Sequence, residues 1–324
     1  MEQLLSCAKL LLERSVTLIV DRFPDENPNI PYVNERFFAD WKPDHTYGWQ
    51  QNRAIVGHNF KIAWNMTRAA NYYKTKQAEL QRQLPKPGKE QASNEQAQHY
   101  EELAEKCMVL AEKLGRAMTE FGIDQIRGGC FDCVEREPYA GANFLPVEFT
   151  WGNTKDFWQQ EQAILAYLIL FGHTKNPFYL QGARETEAFW NTFFLDREHR
   201  GMYFRVTDNG LPIVQGGYEV RGGHSDASGY HCFELNYLAH IYNRAYVAGT
   251  NSTDPTFCLY FKPDRQCGMT SINVLPDFMP PGSVQIEQVT INGVIRDHQD
   301  PNYFQIDLSD QDLGAEVVVR FRGA

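Results

Sequence analysis

IVGHNFKIAW, residues 55–64, sets one imidazole, His58, and one ammonium, Lys61, in a run that is otherwise mostly apolar and helically spaced. Two readings compete for such a pattern. In the bland one, the histidine is a core residue with a satisfied hydrogen bond and the lysine snorkels to water. In the sharp one, His58 is an acid/base residue at the floor of a substrate pocket.

Working outward, the stretch lies in the second of six segments with helical periodicity. These are Gln3–Phe23, Arg53–Leu84, Gln98–Phe121, Lys155–Gly172, Pro177–Leu195 and Tyr230–Val247. The polar, breaker-rich PKPGKEQASNEQ, residues 85–96, reads as an exposed loop. Short extended pieces at Gly129–Glu135, Met202–Thr207 and Pro212–Val214 read as small hairpins at one rim of a helical body. After Gly249 the period changes to two. FCLYFKP, TSINVLP, SVQIEQVTING, NYFQIDLS and AEVVVRFRG alternate apolar and polar residues between turn formers, as an antiparallel sheet or sandwich does. The expected fold is therefore mainly α, with helices in antiparallel pairs over residues 1–249 and a small antiparallel β domain over 250–324.

Composition narrows the function. A chain of 324 residues, 43% hydrophobic and 13% aromatic, can bury a sizeable core. Its net charge of −10 argues against a nucleic-acid partner, which needs clustered Lys and Arg. No apolar run reaches the roughly 18 to 20 residues of a membrane span. The amphipathic start, MEQLLSCAKLLLERS, lacks the basic and apolar regions of a signal peptide, so a cytoplasmic location is expected. Seven scattered cysteines form no disulfide framework, and the lone Cys130-Phe-Asp-Cys133 lacks the second pair a zinc site needs. It reads as a turn entering a strand, with a structural role. Gly216-Gly217 and Gly222-Gly223 lack the strand, helix and lysine context of a phosphate loop. No cofactor and no metal is expected.

Two histidines open helices after glycine-containing loops: His58 after Gly57 and His231 after Gly229. The positive end of a helix disfavours imidazolium, so either ring can act as a neutral base near pH 7. A third element is TKDFWQQEQAILAYL, residues 154–168. Trp158 with Gln159, Gln160, Glu161 and Gln162 offers an aromatic plate and directed polar groups, which suit a sugar. The competing reading puts Trp158 in the core and the glutamines in solvent.

In order and spacing, these pieces resemble the N-acylglucosamine 2-epimerase superfamily over about residues 5–248. Gly57-His58, Trp64 and Arg68 are similar to its GHxxExxWxxxR helix, and Gly128-Gly129 with Phe131–Val134 to its GG-F-x-x-V turn. Lys155, Trp158 and Ala163 are similar to its KxWWxxxEA segment. HTKNPFYL (173–180) and LDREHRGMYFRVTDNGLP (195–212) resemble the stretches around its next two helices, and Tyr230-His231 its aromatic-histidine pair. The resemblance implies an (α/α)6 barrel, here incomplete and matching the later helices. It also implies a sugar substrate whose ring opens, with His58 and His231 moving a proton beside the carbonyl through an enediol. Substrate-binding roles would fall to Lys61, Trp158, Glu161, Gln162, Tyr230 and Glu234. Three positions depart from the pattern: Lys61 replaces a glutamate, Gln162 replaces a glutamate with Glu161 one place early, and Glu234 replaces an arginine. A Lys61–Glu234 ion pair would restore the polarity in reverse if their helices face each other. The early helices, which in the family supply an arginine that polarises the carbonyl, have no counterpart in this sequence, so the expectation is either a fragment of a longer polypeptide or self-association or a second chain that completes the ring. Two other classes stay open: a non-catalytic carbohydrate-binding protein, and an (α/α)6 glycoside hydrolase using Glu161, Glu234 or Asp156.

Overall fold

The computed structural model describes residues 2–47, 52–82, 90–137, 153–214, 229–248, 254–266, 268–280 and 282–323. By its contacts the chain divides into two units, Met1–Asn236 and Tyr237–Ala324. The change of sequence pattern at residue 249 and this division differ, because the division falls within the last helix.

The first unit holds α1 (Glu2–Arg22), α2 (Val56–Arg82), α3 (Glu90–Ala117), α4 (Phe157–Thr174), α5 (Pro177–Phe189) and the start of α6 (Gly229–Tyr242). Side-chain contacts give their directions. Val56 meets Gly122 just beyond α3, while Tyr73 stacks on Tyr100, so α2 and α3 are antiparallel. Trp64 bonds Gln162 and Asn71 bonds His173, so α2 and α4 run parallel. Tyr167 lies against Tyr179 and Phe157 against Trp190, so α5 returns antiparallel to α4. Trp158 approaches His231 and Gln162 bonds Glu234, which sets the start of α6 parallel to α4. Three parallel helices, α2, α4 and α6, thus bring their amino ends to one rim, with α3 and α5 as the returning partners.

The sequence accounts for α4 standing at the centre. AILAYLIL, residues 163–170, is apolar all round and wholly buried, the mark of a helix enclosed by neighbours. Asn176 caps α5 by accepting from the Phe178 N–H at 3.1 Å, with Pro177 at the first helical position. Close approach needs Gly115 on α3, where a Cβ would come within 2.5 Å of Leu170 Cδ1.

Several expected boundaries move. Arg53–Ile55 forms strand β1 rather than helix, paired antiparallel with β2, Cys133–Glu135. Thr154–Asp156 is likewise strand β3, which the expected helix from Lys155 overran. Each strand runs straight into its helix, so the periodic apolar pattern continues across the junction and hides it. α3 starts at Glu90, so residues 90–96 are helix, not loop; pairs such as Gln91–Glu95 at 3.0 Å support its exposed first turns. The ends predicted for three helices are wide π-turns instead: Met118–Gly122, Trp190–Phe194 and Asn243–Val247.

At the rim, two further pairs follow: β4 (Leu195–Asp196) with β5 (Gly201–Met202), and β3 with β6 (Arg205–Thr207). Buried charges tie this rim together. Arg205 donates to Asp156 through Nε and through Nη2, the latter at 2.6 Å, and its Nε lies 3.6 Å from Asp132. Asp132 also accepts from Thr154 Oγ1 at 2.5 Å and the Asp156 N–H at 2.6 Å. Lys155, fully buried, donates to Asp124 at 2.9 Å and to the carbonyls of Gly128 and Asp208 at 2.8 and 2.9 Å. Asp156 is thus committed to the framework. Cys130 and Cys133 are free, buried thiols, and burial pushes both well above the ordinary thiol range.

The second unit is a four-stranded antiparallel sheet in the order β10 (Val294–Arg296), β9 (Val284–Ile291), β12 (Val317–Gly323), β7 (Thr256–Phe261). A separate antiparallel pair joins β8 (Ser271–Asn273) to β11 (Gln305–Asp307). Alternation decides the face: Val317, Val319 and Phe321 are fully buried while Arg320 is exposed. Among the described residues, no helix is long and apolar enough to cross a membrane.

Candidate functional site

All eight residues singled out from the sequence meet at the rim where α2, α4 and α6 begin. Trp158, the second residue of α4, is half-buried and stands between the two histidines. Its ring centroid lies 5.2 Å from that of His58 and 5.9 Å from that of His231. The helix ends approach closely because residue 57 is glycine; a Cβ there would sit 2.7 Å from both Trp158 Cζ3 and Gln159 Cγ.

Each histidine has a carboxyl partner on Nδ1. His58 Nδ1 is hydrogen-bonded to Glu35 Oε2 at 2.7 Å, with 43% of its side chain exposed. When Nδ1 donates to that carboxylate, Nε2 is left with a lone pair. His231 Nδ1 lies 2.6 Å from Glu161 Oε2, and this pair is more enclosed, at 14% and 0% exposure. The approach is not aligned as a hydrogen bond, so neither group is satisfied by the other in this geometry. Burial, aided by the Lys61 charge, lowers His231 to about 4 against an opposing pull from Glu234. Burial and the neighbouring Glu234 push Glu161 up to about 10. Near pH 7 Glu161 is thus protonated and His231 neutral. A carboxylic O–H that turns onto Nδ1 would leave the proton of His231 on Nε2. The two rings then present opposite functions, a lone pair at His58 and an N–H at His231.

Around this pair, Lys61 Nζ stands 3.5 Å from Glu234 Oε2 and 3.4 Å from the Tyr230 hydroxyl. The ion pair expected from the reversed polarity is therefore present. Gln162 Oε1 accepts from buried Trp64 Nε1 at 2.7 Å, and its Nε2 donates to Glu234 at 3.4 Å. Tyr230 is exposed and its ring lies 4.0 Å from that of His231.

Gln159 and Gln160 are buried rather than presented to a ligand or to solvent. Gln159 accepts the Gly57 N–H at 2.6 Å, and Gln160 bonds both backbone groups of Cys130, at 2.7 and 2.8 Å. They fix the rim that positions His58 and Trp158. Glu161, His231 and Glu234 offer ligand atoms within 4.8 Å of one another, a spacing a cation accepts. Lys61 already places a positive charge against Glu234. His99, His173 and His240 also lie on helices, so a helical histidine does not by itself mark the site.

Reading the sequence missed the residues that face His58 from the segment before α2. A cleft of about 290 Å³ opens there, lined by Glu35, Arg36, Tyr47, Arg53 and Arg136 with His58. Nothing in the aperiodic stretch 24–47 marks Glu35 or Arg36, because their positions depend on loop folding. Arg53 and Arg136 sit on or beside β1 and β2, a pairing that local sequence does not reveal. The two glycine pairs at 216–217 and 222–223 lie outside the described residues.

No family model and no curated protein matches the chain. Among solved structures, it is similar to a sugar epimerase from a ruminal bacterium, at 12% identity and a TM-score of 0.47. That match covers 74% of this chain and 48% of the other. Similarity to the cellobiose 2-epimerase of Spirochaeta thermophila is 16% with a TM-score of 0.47, over 73% and 50% of the two chains. A family 76 glycoside hydrolase from a bovine Bacteroides thetaiotaomicron strain is 12% identical, with a TM-score of 0.36 over 74% and 52%. The chain thus spans about half the length of the structures it matches. Likenesses at these values assign no role to any residue.

Proposed function

We propose that the protein is a sugar epimerase or isomerase that moves a proton beside the sugar carbonyl, with His58 and His231 as the two acid/base groups. One observation carries this reading: two imidazoles flank a single half-buried indole, each with a carboxyl group on Nδ1. Trp158 offers a face for the CH surface of a sugar, which places the reacting carbon within reach of a ring on either side. One imidazole takes the proton and leaves an enediol. The other returns a proton on the opposite face for epimerisation, and return at the neighbouring carbon gives isomerisation. Lys61 and the Tyr230 hydroxyl, 3.4 Å apart, are the groups this reading assigns to stabilising the developing oxyanion.

A hydrolase reading would need a carboxylic acid against the glycosidic oxygen. Glu161 has the raised pKa of such an acid but is fully buried behind His231, and Asp156 is held by Arg205. A carbohydrate-binding protein would use the same Trp158 wall without proton transfer. Incubation with aldoses, ketoses, N-acetylhexosamines and cellobiose in D2O separates the three. Deuterium enters the product epimer beside the carbonyl, and its appearance in that product is lost in His58→Ala and His231→Ala. Binding without deuterium would leave the binding protein, and released reducing ends the hydrolase.

A further inference from the structure

We infer that Glu35 is the positioning residue of His58: its carboxylate keeps the ring proton on Nδ1 and so reserves the Nε2 lone pair for the sugar proton; this rests on the sugar reading above. The bond is short, 2.7 Å from Nδ1 to Glu35 Oε2. An ionised carboxylate only accepts, so the imidazole nitrogen it meets is the one that carries hydrogen. The other nitrogen is then the one basic atom of the neutral ring. When Nε2 takes a proton, the imidazolium that forms lies against a negative charge, which stabilises it. Helix α2 does not supply this partner itself. One turn on from His58 it carries Lys61 and Ile62, neither of which accepts an N–H, and the Lys61 ammonium stands 3.5 Å from Glu234 instead.

The Glu35 side chain is 27% exposed, so its aim depends on the backbone that carries it rather than on enclosure. That backbone is pinned to the helix it serves. Tyr32, Val33 and Asn34 are all buried. The Val33 N–H donates to Asn59 Oδ1 at 3.1 Å, and Asn59 is the buried neighbour of His58 on α2. Asn59 is held in turn by donating from Nδ2 to the Ile55 carbonyl at 2.8 Å. On its other side, the Val33 carbonyl accepts from Nη1 of buried Arg136 at 2.9 Å, and Asp25 anchors that guanidinium at 2.6 Å. The Asn34 N–H donates to the Phe23 carbonyl at 2.7 Å. Three hydrogen bonds thus fix the two residues before Glu35, and one of them runs to the residue beside His58. Shifting this segment would break buried hydrogen bonds, and support of this kind is what holding a side chain to within about 0.5 Å requires.

The test is NMR of the full chain labelled with 15N-histidine, together with deuterium exchange from D2O into glucose, mannose, N-acetylglucosamine and cellobiose. His58 is identified as the ring signal lost in His58→Gln. In the wild-type protein its neutral ring should carry hydrogen on Nδ1, with Nε2 bare. Glu35→Gln, whose amide donates as well as accepts, should move that proton toward Nε2. The same variant should lower kcat about tenfold to a hundredfold, the worth of a hydrogen bond to a charged group, with KM changed by less than about twofold. Glu35→Asp, which keeps an acceptor-only charge, should retain the Nδ1 proton and lose less. Unchanged signals from the other histidines, with circular dichroism, establish that the variants are folded. A purely structural role would lower stability without moving the ring proton. A His58 proton on Nε2 in the wild type, a proton unmoved in Glu35→Gln, or a wild-type kcat in that variant overturns the inference. Exchange in the wild type that Glu35→Gln leaves untouched does so while the epimerase reading stands. The proton shift, with no exchange into any sugar by the wild type, upholds the placement of the proton and refutes the epimerase reading.

Discussion

The Lys61–Glu234 pair is the sharpest place to perturb the site. It joins α2 to α6 beside both histidines, across 173 residues of chain, and its charges are the reverse of those the resemblance implies. At 3.5 Å and an effective dielectric constant near 20, the bare attraction is roughly 5 kcal/mol. The side chains are 33% and 22% exposed, so screening and ordering reduce the net coupling to about 1 kcal/mol. A double-mutant cycle of Lys61→Met and Glu234→Gln, read by urea unfolding, should return that coupling. The charge-reversed pair Lys61→Glu/Glu234→Arg should be more stable than either of its single variants. A second readout follows from the field at His231: Lys61→Met should raise that imidazole from about 4, and Glu234→Gln should lower it further, by NMR titration. Effects that add within about 0.3 kcal/mol, with His231 unmoved, would refute the pairing and the electrostatic account of the site.

Other expectations concern the same rim. Stability contributed by His231 is fully present above its ordinary 6.5 and is lost as pH falls toward about 4; Glu161 acts oppositely, its contribution falling from 4.5 toward about 10. In urea midpoints at pH 5, 7 and 9, Glu161→Gln should therefore flatten the alkaline decline and His231→Gln the acidic one; unchanged slopes would contradict those environments. Gly57→Ala forces a Cβ against Trp158 and Gln159 and should cost about 1 to 3 kcal/mol in unfolding free energy, with weakened sugar binding. Trp158→Ala should weaken sugar binding by about tenfold or more in calorimetry, whereas Trp158→Phe keeps most of it. EDTA should leave deuterium exchange unchanged, because Lys61 supplies the positive charge beside Glu234; loss restored by a divalent cation would assign Glu161, His231 and Glu234 to a metal.

Much of this arrangement is legible in residues that repeat with helical period. Helices in successive antiparallel pairs put α2, α4 and α6 in one direction, and glycines at 57 and 229 mark the two histidine-bearing ends. What local sequence hides is pairing at a distance. Arg53 and Lys155 read as helix because apolar spacing runs unbroken into α2 and α4, yet antiparallel partners some 50 to 80 residues away make them strands. Gln159 and Gln160 read as ligand contacts because amides suit sugars. In the fold, backbone groups of Gly57 and Cys130 take them first. Glu35 is invisible to any periodic reading, although it completes the His58 pair.

The central claim is that two bases serve two faces of one carbon, and exchange of separated epimers in D2O tests it most directly. Wild-type protein should put solvent deuterium into the product epimer as it forms. His58→Gln and His231→Gln should each abolish interconversion, and each should retain washout of the proton from one epimer only, a different one in each variant. Interconversion that survives either substitution, or washout from the same epimer in both variants, would contradict the account.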